Sequence, residues 1–179
     1  MKKVIKKAKT KAERRVEILK DVLLQLKTER FLAQKGSYVN LSYTLETLRD
    51  DDGNKDAKTC LLQDKGNCKV CAKGAIFLSL VRKENKVKMF ELEDDDVREK
   101  RTNALFGEAN MNLMEAAFER WPYEIGGSYM ENNWINSDEC KYHEEIEDFY
   151  DKYTISHHRL EAIVKNAIKN GGIFKLKKK

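Results

Sequence analysis

A single proline, Pro122, leaves this chain with almost nothing to interrupt its helices. Long apolar runs are also missing. None approaches the ~20 residues of a membrane-spanning helix, and the N-terminal stretch MKKVIKKAKTKAERR has no apolar core of the kind a secretory signal needs. Four cysteines in 179 residues are too few for a disulfide scaffold. The chain is therefore expected to sit in a cytoplasm, away from membranes, with reduced thiols. No phosphate-cradling glycine loop, no His-Glu-x-x-His and no convincing pair of catalytic carboxylates occurs, which removes the commonest sequence signatures of nucleotide, metalloprotease and glycosidase chemistry.

What is present is charge and helical periodicity. Charged residues make up 36% of the chain against 41% hydrophobic, with a net charge of +5. Basic residues crowd positions 1–15 and the KLKKK end, whereas ELEDDD (91–96) and HEEIEDFYD (143–151) are acidic. The expected organisation is a basic extension or helix start over 1–15, a single helical domain over 10–174 and a basic tail over 175–179. Basic ends are able to contact phosphate, so a nucleic-acid-binding protein using its termini is one functional alternative.

The apolar positions Val16, Leu19, Leu23 and Leu26 predict a first helix from Thr10 to about Leu32. Residues 36–53 read as irregular, with a short strand or one helical turn, and 54–67 as a surface loop with a short strand near Cys60, Leu61 and Leu62. From Cys68 to Arg82 the residues Ala72, Ala75, Ile76, Phe77, Leu78, Leu80 and Val81 cover nearly every side of a helix capped by Asn67, and a helix apolar all round belongs in the middle of a domain. The EDDD run reads as the cap of the next helix, in a segment hinged near Gly107 and stopped by Pro122. A further stripe over Tyr142–Tyr153, with Ser137 or Asp138 as its cap, precedes a last helix closed by Asn170, Gly171 and Gly172 in a left-handed cap. The predicted fold is mainly α, a compact domain of about six helices around a buried central one, with room for a short β element near residues 38–62.

CKVC (68–71) and CKYH (140–143) form a C-x2-C and a C-x2-H pair, the spacing with which Cys68, Cys71, Cys140 and His143 would hold a structural zinc. Both pairs fall at predicted helix starts, where partial positive charge favours thiolate. Two other readings stay open beside it. The cysteines are also suited to burial as small apolar side chains, or Cys71 is a nucleophile with His143, His157 or His158 as its base. In the 122–138 loop the aromatic residues Tyr123, Tyr129 and Trp134 flank a Gly-Gly pair and are candidate anchors for a partner.

The succession GSYVNLSYTL, CKVCAKGAIFLSLV, ANMNLMEAAFE and RLEAIVKNAIKNGGIF, over residues 36–174, resembles an uncharacterised family of small proteins carried by bacteriophages and other mobile elements. Its most distinctive motifs are Cys-Ala-x-Gly-Ala at a helix start and the closing Asn-Gly-Gly-x-Phe. The resemblance carries over no catalytic residue, cofactor or substrate. It implies a phage protein acting in the cytoplasm of an infected bacterium, where a non-enzymatic accessory factor binds and inhibits a host protein, an antiviral defence component among the candidates. A cysteine-dependent enzyme centred on Cys71 is the remaining alternative.

Overall fold

The computed structural model describes residues 8–36, 38–48, 55–84, 87–120 and 142–177. The Pro122 stop, the 122–138 loop, the Ser137 or Asp138 cap and the outermost basic residues lie outside them. Among the described residues the protein is mainly helical, with eight α-helices, a 3-10 turn and one three-stranded sheet.

Helix α1 (Lys11–Lys27) begins at Thr10 with a reciprocal cap: Glu13 N–H donates to Thr10 Oγ1 at 3.2 Å and Thr10 N–H to Glu13 Oε2 at 2.7 Å. It buries Ile18, Leu19, Val22 and Leu26. The helix stops five residues before the predicted Leu32, because Glu29 turns left-handed at φ 56° and the chain leaves as strand β1 (Phe31–Ala33). Strand β2 (Val39–Asn40) and helix α2 (Tyr43–Thr47, capped by Ser42) follow in turn, so the mixed signal of this region is a strand and then a helical turn.

The surface loop and strand expected around Cys60 are instead helix α3 (Ala57–Gln63), with Asp56 accepting Thr59 N–H at 2.8 Å. Ala57, Cys60 and Leu61 are buried at i, i+3 and i+4, which is a helical period too short to stand out from a single turn. The central helix also starts later than predicted. Cys68–Val70 is strand β3, buried at Cys68 and Val70 and exposed at Lys69, and it runs through Cys71 into helix α4 (Ala72–Glu84). Asn67 therefore precedes a strand and does not stand at the start of α4. β3 lies between the other two strands, parallel to β1 (Phe31 opposite Cys68) and antiparallel to β2 (Val39 opposite Val70).

Ten consecutive residues of α4, Ala72–Val81, are buried, as its all-round apolar sequence requires. A 3-10 turn (Met89–Leu92) leads to α5 (Asp95–Phe106), capped by Asp94 from the acidic run. Gly107, at φ 85°, separates α5 from α6 (Glu108–Glu119). Helices α7 (His143–Lys152) and α8 (Ser156–Lys169) complete the fold, and Gly171 and Gly172 close α8 at φ 66° and 91°. α4 packs against α1, α3, α5 and α6, and one hydrophobic cluster runs from Ile18 to Phe174.

Gly74 is where the sheet and the central helix touch backbone to backbone. A Cβ there would lie 1.6 Å from the Tyr38 carbonyl oxygen. That oxygen belongs to the main chain and has no rotamer to move away. Gly74→Ala is therefore expected to destabilise the protein by about 3 kcal/mol, the upper end of the ordinary cost of overpacking, read as a lowered urea midpoint. An unchanged midpoint would mean that α4 and the Tyr38 segment do not meet in this way.

Candidate functional site at the head of the central helix

α4 begins inside the protein, so its first N–H groups cannot all turn to water. Cys71 is its cap. The Cys71 carbonyl accepts Ala75 N–H at 3.0 Å, and its Sγ accepts Gly74 N–H at 3.4 Å while standing 3.8 Å from the Tyr38 carbonyl. The Lys73 N–H donates to Glu115 Oε2 at 3.0 Å, across from α6. One helical turn on, the Glu119 carboxylate accepts Gly36 N–H at 2.9 and 3.1 Å, which ties α6 to the turn between β1 and β2. The donor atoms of Cys71, Glu115 and Glu119 all lie within 4.8 Å of one another.

Burial dominates the electrostatics of this trio. It pushes the Cys71 thiol well above its ordinary range, and the neighbouring Glu115 charge adds to that. Burial also raises Glu115, against its hydrogen bonds from the Cys71 thiol and Lys73 N–H and the nearby Lys73 and Arg98 charges. Glu119 is pushed up to about 7, by burial first and by Glu115 second. Arg98, 2% exposed, stacks 4.2 Å over the Tyr38 ring, and Lys73 Nζ stands 3.6 Å from Glu99. Chemically this is a buried, protonated thiol that donates toward the Tyr38 carbonyl with the Glu115 carboxylate beside it. Such a group holds a proton or a cation better than it attacks an electrophile.

Of the three predicted zinc ligands among the described residues, Cys68, Cys71 and His143, only Cys71 belongs to this group. Cys68 is buried on β3, where Asp64 and Arg30 act on it and burial raises its thiol to about 11. His143 is the first residue of α7, and Cys140 lies outside the described residues. His157 and His158 stand together at the start of α8, with ring centres 6.1 Å apart, and no histidine joins the trio. Tyr123, Tyr129 and Trp134 also lie outside the described residues. Part of the N-terminal basic block is spent on the protein itself: Arg14 makes a forked pair with Glu84, Arg15 donates to the Leu105 carbonyl at 2.7 Å, and Lys9 pairs with Glu17.

Sequence reasoning missed Glu115 and Glu119. The available signal was two acids four apart on the α6 face, among Met114, Ala116, Ala117 and Phe118, where an apolar face would ordinarily exclude them. Comparison with protein-family models, curated proteins and solved structures finds no match for the chain. Among the described residues no helix is long and apolar enough to cross a membrane.

Glu119 makes stability depend on pH. Its pKa in the fold, about 7, lies above its ordinary 4.5, so between those values the folded state binds more protons than the unfolded one. The stabilisation from its neutral form is fully present below the lower value and is lost as pH rises through the upper. Urea unfolding of the metal-free protein across that window should show the parent losing more stability with rising pH than Glu119→Gln. Parallel pH profiles for the two proteins would show that Glu119 is not a perturbed acid.

Proposed function

We propose that this protein is a non-enzymatic bacteriophage accessory factor that acts in the cytoplasm of a bacterial host by binding and inhibiting a host protein, with an antiviral defence component as the target class. The observation that supports this reading best is the state of Cys71. Cys71 is 1% exposed, its thiol is pushed upward by burial and it serves as a helix cap, so it is neither accessible nor activated for attack. A cysteine nucleophile needs the opposite setting, a lowered pKa and a base that draws off its proton. The groups around Cys71 are two carboxylates, themselves pushed toward protonation.

The nucleic-acid alternative draws less support, because Arg14 and Arg15 are engaged with Glu84 and the Leu105 carbonyl. The aromatic loop residues Tyr123, Tyr129 and Trp134 are the proposed anchors for the host protein. Truncating such an anchor to alanine costs about 2 kcal/mol or more at a protein interface, which is roughly thirtyfold in affinity.

The test is protection of a sensitive phage in a host that carries a defence system. Expression of the parent chain and of a Cys71→Ala variant that still unfolds cooperatively should raise plating efficiency alike, whereas replacing Tyr123, Tyr129 and Trp134 together by alanine should abolish the effect in an equally folded variant. In parallel, Cys71 should resist iodoacetamide until the protein is unfolded. Rapid alkylation of the native thiol, with loss of biological effect in a folded Cys71→Ala, would transfer the argument to the enzyme alternative.

A further inference from the structure

We propose that Cys71, Glu115 and Glu119 form a binding site for one divalent metal ion of the zinc class, a ligand set different from the C-x2-C and C-x2-H pairing that the sequence suggests. The three donors come from two elements, the head of α4 and one face of α6, and converge to within 4.8 Å. A tetrahedral ion with bonds of ~2.3 Å to sulfur and ~2.0 Å to oxygen brings such ligand atoms to about 3.5 Å from one another. Glu119, the least buried of the three, is the ligand that would have to move inward to close that difference.

Each donor is already held by a main-chain N–H. Gly74 donates to Cys71 Sγ, Lys73 to Glu115 and Gly36 to Glu119, at 3.4, 3.0 and 2.9 Å. Donors oriented in this way lose little freedom when an ion arrives, and groups that orient metal ligands tune affinity strongly. One thiolate with two carboxylates suits a cation of borderline softness better than calcium or magnesium, which take oxygen alone.

Charge points the same way. A thiolate, two carboxylates and a dication leave one net negative charge, set against the positive end of α4 and the Lys73 and Arg98 charges that act on Glu115. Arg98 is an independent observation. Its side chain is 2% exposed, yet its Nε finds no acceptor among the described residues. The terminal nitrogen of the same guanidinium pairs with Asp95, and a negatively charged metal cluster beside Tyr38 would add a second counter-charge on the Nε side. A thiol must lose its proton to bind a metal ion, so binding is expected to release at least that proton.

Cobalt(II) is the probe, added to full-length, chelator-treated protein purified without a metal-affinity tag. One equivalent should produce a thiolate-to-cobalt charge-transfer band that zinc(II) removes by competition. The band should vanish in Cys71→Ala, and Glu115→Gln and Glu119→Gln should each weaken cobalt binding about tenfold or more, with folding followed by circular dichroism. If Cys71→Ala does not fold, the two glutamine variants decide the matter, since a merely structural carboxylate would leave cobalt affinity unchanged. No band in the parent overturns the site. So does a band that survives in Cys71→Ala and is lost in Cys68→Ser with Cys140→Ser, which would return the metal to the cysteine pairs.

Discussion

A helix that starts inside a protein core must find acceptors for its first N–H groups without water, and that constraint organises this molecule. A buried donor left unpaired costs about 1–3 kcal/mol, and α4 solves the problem with Cys71 at its cap and Glu115 across from α6. Once a carboxylate is required at that place, the rest follows. Glu115 is 7% exposed, its charge needs compensation, and the Lys73 and Arg98 side chains both act on it. The strand order is tied to the same point, because β3 leads into α4 through Cys71 alone and the Tyr38 segment before β2 passes close enough to demand glycine at position 74.

The opposite pole of a helix is handled in the same currency. Arg159, 1% exposed, donates to the Phe118 carbonyl at 2.9 Å, near the C-terminal end of α6, and to the Tyr153 and Thr154 carbonyls at 2.8 and 3.2 Å, and it lies 3.5 Å from the centre of the Tyr150 ring. A cation at a helix C-terminus complements the dipole as an anion does at the N-terminus. α6 thus delivers Glu115 to the head of α4 and receives Arg159 at its own end. Buried charges are tolerable only when almost every donor and acceptor is used. Exposed pairs such as Lys165 with Glu161 contribute far less, since water and salt already screen them.

Much of the helical framework was legible because its signals are local. The α1 stripe, the acidic cap at Asp94, the break at Gly107 and the left-handed closure at Gly171 and Gly172 each depend on residues within a few positions of one another. The passage from β3 to α4 was not legible, because an unbroken apolar run hides the change from a period of two to one of 3.6. The C-x2-C spacing does not say where its two thiols sit, for a related reason. Three residues apart on one helix would have turned both thiols to one side, but Cys68 belongs to a strand near Asp64 and Cys71 to a helix cap near Glu115. Glu115 itself was hidden because its partner, the Lys73 N–H, is 42 residues away.

The residue type at position 71 joins the structural and chemical parts of the molecule. Serine or aspartate is the stronger helix cap by local preference, and at 3.4 Å the sulfur is a modest acceptor for Gly74 N–H. Aspartate would place a third carboxylate against Glu115 and Glu119, where burial already holds both acids toward protonation. A serine hydroxyl tolerates the site but cannot ionise there. Cysteine is the one capping side chain that stays neutral and behaves as a small apolar group when buried, yet yields its proton once a cation arrives to balance the charge. Burial and capping ask only for the first half of that combination; the second is what the proposed metal site would use.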